Sequence, residues 1–103
     1  MKILVQIDFP VHVAKQVIEA YQSSSIPQRP DYAQELGSIA YTTPTGCGAT
    51  YLFEVPDDKV AEFERNHIQR TTFIGSRATG FVAHCHVGLS VPEVVGDLMP
   101  LLA

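Results

Sequence analysis

The stretch Gly80–Leu89, GFVAHCHVGL, constrains this chain more than any other. Its alternation puts Phe81, Ala83, Cys85, Val87 and Leu89 on one face of a strand and Val82, His84, His86 and Gly88 on the other. The first set needs a core to lie against. The second brings two imidazoles together on the opposite surface, so the strand is either plain scaffold or the floor of a site. Residues 2 to 9 repeat the period, with Ile3, Val5, Ile7 and Phe9 against Leu4, Gln6 and Asp8. Ala49 to Val55 does so again, with Tyr51, Phe53 and Val55 inward and Thr50, Leu52 and Glu54 outward. Leu36 to Thr42 is a weaker strand, joined to the next by TPTGCG, which has the Pro and Gly of a hairpin loop.

Between these strands the period becomes helical. Ala14, Val17, Ile18 and Tyr21 form an apolar stripe that predicts a helix over 11–23, with Pro10 suited to its first position because the missing N–H would have no partner there. Val60, Ala61, Phe63 and Ile68 predict a second over 57–70, with Asp57 as N-cap and Arg65 and Arg70 complementing the carboxyl end. Ser90 and Glu93 have capping-box spacing ahead of Val91, Val94, Val95, Leu98, Leu101 and Leu102, a short terminal helix that Gly96 and Pro100 weaken into a frayed or packed-down tail. Ile26 to Gln34, with Pro27 and Pro30, reads as a surface linker ahead of a lid.

Strand, helix, strand, strand, helix, strand is the split βαβ order called ferredoxin-like, an α+β class in which four antiparallel strands carry both helices on one face. The 103 residues fit one such domain, 1–103. In that topology the fourth strand lies beside the first. If Phe9 opposes Phe81, antiparallel pairing sets Asp8 against Val82, Gln6 against His84 and Leu4 against His86, and a slip of two residues would keep the faces and change the partners.

Charge and composition narrow the partners. A formal net charge of −4, with seven Lys and Arg spread along the chain, leaves no basic patch for nucleic acid. No apolar run approaches the roughly 20 residues of a membrane span, and Gln6 and Asp8 interrupt the amino-terminal run that a signal peptide would need. Cys47 and Cys85 form no CxxC pair, which points to reduced thiols in a cytoplasmic protein. Cys85 reads as a small buried hydrophobe and Cys47 as the more exposed, in a Gly-flanked loop; His12 and His67 read as surface or edge residues on helices. The helix-free face, with Leu4, Leu52 and Val82, would leave apolar surface in water, so a homodimer is expected.

Length, element order and the passage YLFEVPDDKVAEF resemble the small dimeric α+β barrel superfamily, in particular muconolactone isomerase-like proteins. The resemblance implies two subunits packing the helix-free faces of their sheets together, with a pocket between sheet and helices or in the barrel. It supplies no catalytic motif to match residue by residue.

The residues themselves offer two chemistries. His84 and His86 lie roughly 7 Å apart along one face, a spacing that metal sites use, but zinc needs a third protein ligand from Asp8 or Glu54, so neither metal nor other cofactor is expected. Proton transfer needs none: His84 or His86 would transfer the proton, Asp8 would orient the ring and Gln6 would hold the substrate. Asp8 serves equally well as a helix cap on this reading. Two functions follow, an isomerase-like enzyme acting on a small organic molecule, or a non-catalytic small-molecule-binding or interaction module.

Overall fold

The structure is a computed structural model that describes residues 1–102. Strand β1 (Lys2–Phe9) leads through a 3-10 turn at Val11–Val13 into α1 (Ala14–Gln22). β2 (Gln34–Thr43) and β3 (Gly46–Glu54) form a hairpin, and a second 3-10 turn at Asp57–Lys59 opens α2 (Val60–Gly75). β4 (Val82–Gly88) and α3 (Val91–Leu102) complete the chain. The four strands pair antiparallel in the order β2-β3-β1-β4, a ferredoxin-like sheet.

Alternation decides which side is covered. Ile3, Val5 and Ile7 from β1 and Ala49 and Phe53 from β3 meet Phe63 of α2 in the principal core, where the Phe53 and Phe63 rings lie 5.4 Å apart at 53°. Each of the Ile, Val and Phe side chains among them, removed from water, contributes on the order of 1.5–3 kcal/mol. Val13, Val17 and Ala20 pack against Ile74, Ile26 and Ala78 in a second cluster that joins α1 to α2. The β1–β4 register is Asp8 to Val82, Gln6 to His84 and Leu4 to His86, the pairing expected from Phe9 opposite Phe81. Those two rings stack with centroids 6.4 Å apart. Gly80 ahead of β4 takes φ +86° and has Pro10 Cγ 2.8 Å from where a Cβ would lie, so backbone sign and space both require glycine.

Several local expectations give way to packing. α2 runs a turn past Arg70 to Gly75, because Ile74 is fully buried against α1. Its buried face follows Phe63, His67 and Ile74, which leaves Ile68 61% exposed and makes His67 a core residue instead of an edge one. The buried side of α1 is likewise turned toward α2, and Ile18 points outward. Asp57 caps nothing; its carboxylate accepts a hydrogen bond from the Met1 amino group at 3.0 Å. Arg70 does not serve the helix end but donates through Nη1 to the Pro27 carbonyl at 2.6 Å, and Asn66 Nδ2 donates to the Gln28 carbonyl at 2.7 Å. With Ile26 buried as well, residues 26–34 are a packed segment fastened to α2. Cys47 sits on β3 opposite Phe9, outside the two-residue turn at Pro44 and Thr45. The capping box at Ser90 and Glu93 forms in both directions, yet α3 buries no residue, so the tail is helical without being packed down.

Candidate functional site

On the helix-free face, β1 presents Leu4, Gln6 and Asp8 beside Val82, His84 and His86 of β4, with Thr50 and Leu52 on the other flank. The two imidazoles stack at 6.3 Å and 24°, and Gln6 is the cross-strand partner of His84. Both rings are exposed, and neither makes a hydrogen bond or ion pair among the described residues. Asp8 lies on the same face, as the diagonal neighbour of His84 across the ladder, and among the described residues it makes no hydrogen bond or ion pair with either imidazole. Its Oδ1 lies over Gly48 instead, 2.7 Å from where a Cβ would be. Nor does Asp8 cap the first helical turn, which has no side-chain cap.

The surface around the imidazoles is shallow. His86 borders a depression of about 240 Å³ with Lys2, Leu4, Leu52 and Leu89, which His84 does not line. Glu54 is held by Lys2 Nζ at 2.7 Å at the far end of β3, where Lys2 is its cross-strand partner. Among the described residues no three His, Cys, Asp or Glu side chains converge as metal ligands would.

The larger concavity lies on the other side of the sheet. α1 and α2 cover its middle, while β2 extends beyond them with nearly its whole length exposed. The uncovered corner is a cleft of about 580 Å³, walled by Ile7, Phe9, Ile18, Tyr21, Ala49 and Tyr51, with Cys47 at its margin. That volume falls within the range of small-molecule pockets, about 300–1,000 Å³. Ile18, 55% exposed, has a place as one wall of this opening.

One end of the cleft is polar behind its aromatic wall. Tyr51 stacks on Phe53 at 6.4 Å, and the Arg29 guanidinium lies over Phe53 at 4.3 Å. Arg70 stands 6.0 Å from the Tyr21 ring. Burial pushes the Tyr21 hydroxyl up to about 12, with Tyr51 adding to the rise. Burial also lowers Arg29, helped by the like charge of Arg70, and lowers His67, helped by both guanidinium groups. Arg29 Nη1 is buried with no hydrogen-bond partner, and neither arginine forms an ion pair among the described residues.

Of the residues singled out in the sequence, Gln6 and His84 are paired, His86 is adjacent, and Asp8 shares their face without a hydrogen bond to either imidazole among the described residues. Sequence reasoning missed Arg29 and His67. An arginine between two prolines reads as a loop cation in water, and only the folding of 26–34 onto α2 turns it inward. A signal for His67 existed: it lies four residues after Phe63 on the same helical face.

No helix among the described residues is long and apolar enough to cross a membrane. No family model matches the chain, and no curated protein matches it. Among solved structures, the chain is similar to an uncharacterized NIPSNAP domain protein from Burkholderia xenovorans. The similarity covers 88% of this chain and 97% of that one, at 17% identity and a TM-score of 0.46.

Proposed function

We propose that the chain is a small-molecule-binding domain, assembled as a homodimer through the helix-free face of its sheet, with the ligand in the cleft beside α1. The cleft carries this reading: at about 580 Å³ it has room for a small molecule, and its walls are mostly apolar with two tyrosines among them. Binding should raise thermal stability in proportion to occupancy, by about 2.7 kcal/mol at a ligand concentration one hundred times Kd. A thermal-shift screen of small apolar compounds tests it, with Ala40→Trp as control. Ala40 is exposed on β2 at the cleft wall, so an indole there fills the space without entering the core. Stabilisation that survives in Ala40→Trp would place the ligand elsewhere.

A second reading has one observation in its favour, the Gln6–His84 pair beside a stacked imidazole. In it, His84 or His86 transfers a proton next to a carbonyl of a small organic substrate, Gln6 holds that substrate, and Asp8 orients the ring after a side-chain shift toward β4. The missing wall would be the sheet of a second copy. No cofactor enters this chemistry. If it operates, His84→Ala or His86→Ala lowers turnover by roughly 10²-fold or more while remaining folded. Equal turnover in both variants leaves the binding domain alone.

A further inference from the structure

We infer that the ligand of the cleft is an amphipathic carboxylic acid, with its apolar body between Ile7, Phe9 and Ile18 and its carboxylate at the Tyr21–Tyr51 end, facing Arg29 and Arg70. The inference rests on the cleft being a ligand site and adds the charge of what it holds.

Two cations without counter-ions are the first argument. Arg29 and Arg70 sit partly buried beside one another, and no ion pair reaches either of them among the described residues. Arg70 spends Nη1 on the Pro27 carbonyl, which fixes its position and leaves its charge unneutralised. Arg29 has less. Its plane rests on Phe53 at 4.3 Å with Phe63 at 5.7 Å, and its Nη1 is buried with no acceptor. A guanidinium that gives up water and gains no acceptor is destabilising, and a bound anion offsets that loss. Glu35 is the acidic residue whose field reaches Arg29, but it is exposed on β2 and makes no ion pair with it.

The second argument is placement. Phe53, under Arg29, stacks on Tyr51, and Tyr51 is itself a wall of the cleft. Arg70 stands beside Tyr21, the wall facing it from α1. Both tyrosine hydroxyls lack a hydrogen-bond partner among the described residues and are free to donate. An acid head group at this end would meet the two tyrosine hydroxyls of the cleft wall, with the field of two cations standing behind that wall, whereas the rest of the cleft offers it only apolar contact. Planar guanidinium groups match a carboxylate in geometry as well as charge.

Three probes with the same eight-carbon chain test this on the unmodified protein: octanoate, 1-octanol and octylamine, each titrated by calorimetry. Octanoate should bind about tenfold or more tightly than 1-octanol, with octylamine weakest, the scale of a charge-assisted contact. Arg29→Gln and Arg70→Gln should each shrink the ratio of octanoate to octanol affinity, and Arg29→Lys should restore part of it. Equal affinity for acid and alcohol, or a preference for the amine, overturns the carboxylate and leaves the apolar cleft standing. Binding of none of the three overturns the cleft reading and this inference with it. The charge preference is read from the wild-type protein, so a glutamine variant that fails to fold does not remove the test.

Discussion

Gly48 shows how closely the helix-free face is fitted. A Cβ on this residue would lie 2.6 Å from Tyr41 Cε2 and 2.7 Å from Asp8 Oδ1. The carboxylate can swing away, but the Tyr41 ring is held by the 3.0 Å hydrogen bond between its hydroxyl and Thr50 Oγ1. Gly48→Ala should therefore cost on the order of 1–3 kcal/mol in urea denaturation, the scale of overpacking. Combining it with Tyr41→Ala should cost less than the two single changes added, since removing the ring removes the clash. His67 makes a second prediction at this scale. Its folded pKa is held below the ordinary 6.5, first by burial and then by Arg29 and Arg70. Between the lowered value and about 6.5 the unfolded chain binds the extra proton and the folded chain does not, so stability falls as pH drops through this window and is fully present above it. Melting temperature followed from pH 7.5 down to 5 should decline, and His67→Gln should flatten the decline. A wild-type curve with the same slope as the variant's would show that the buried imidazole titrates as it does in the unfolded chain.

Among the elements, α3 is where local sequence speaks most plainly and tertiary packing least. Ser90 Oγ accepts from the Glu93 amide at 3.4 Å and donates to its carboxylate at 2.7 Å, a box that fixes the first turn. Because nothing in α3 is buried, Ser90→Ala should lower α3 helicity, by a cap worth about 1 kcal/mol, while leaving the melting of the sheet unchanged. Backbone chemical shifts of 91–102, set beside the global melting temperature, separate the two effects; a lower global melting temperature would mean that α3 packs on the body after all. The same contrast explains what was legible in the sequence. β1, β3 and β4 declare their faces because each has an apolar side to bury; the strand order followed from the order of elements, and the Gln6–His84 pairing from setting Phe9 opposite Phe81, a register that alternation alone leaves free to slip by two residues. β2 has nearly no buried side, so its ends and its irregularity near Leu36 left little pattern to read. Helix stripes were right in period, and Val17 and Phe63 are buried as expected, but Ile18 and Ile68 fall outside the buried face, because which side of α1 and α2 is covered depends on how the two helices lie against each other. The cleft was illegible for a related reason. Its walls come from β1, α1, β2 and β3, and the cations behind it from a loop and α2, so no single segment carries its signature.

At the scale of the whole molecule the question is what covers the apolar surface one chain leaves in water. The helix-free face carries Ile39 at 68% exposure, Val82 at 48% and Leu52 at 37%, ringed by Gln6, His84 and His86. α3 adds Val91, Leu101 and Leu102, all above 70% exposed, at one end of a body measuring 52 × 32 × 18 Å. A stable interface takes about 800 Å² from each partner, and a four-stranded sheet face is an area of that order. Face-to-face packing of two sheets is accordingly the assembly we propose, with α3 as an accessory that extends it. Sedimentation equilibrium at micromolar concentration should give the mass of a dimer. Leu52→Glu, which sets a carboxylate opposite Leu4 in the middle of the face, should give a monomer of unchanged circular dichroism, because Leu52 lies outside the core. Ending the chain after Leu89 should leave the dimer in place if the sheet faces carry the contact. A truncated chain that sediments as a monomer, beside a Leu52→Glu variant that stays dimeric, would move the interface to α3 and leave the imidazoles open to solvent.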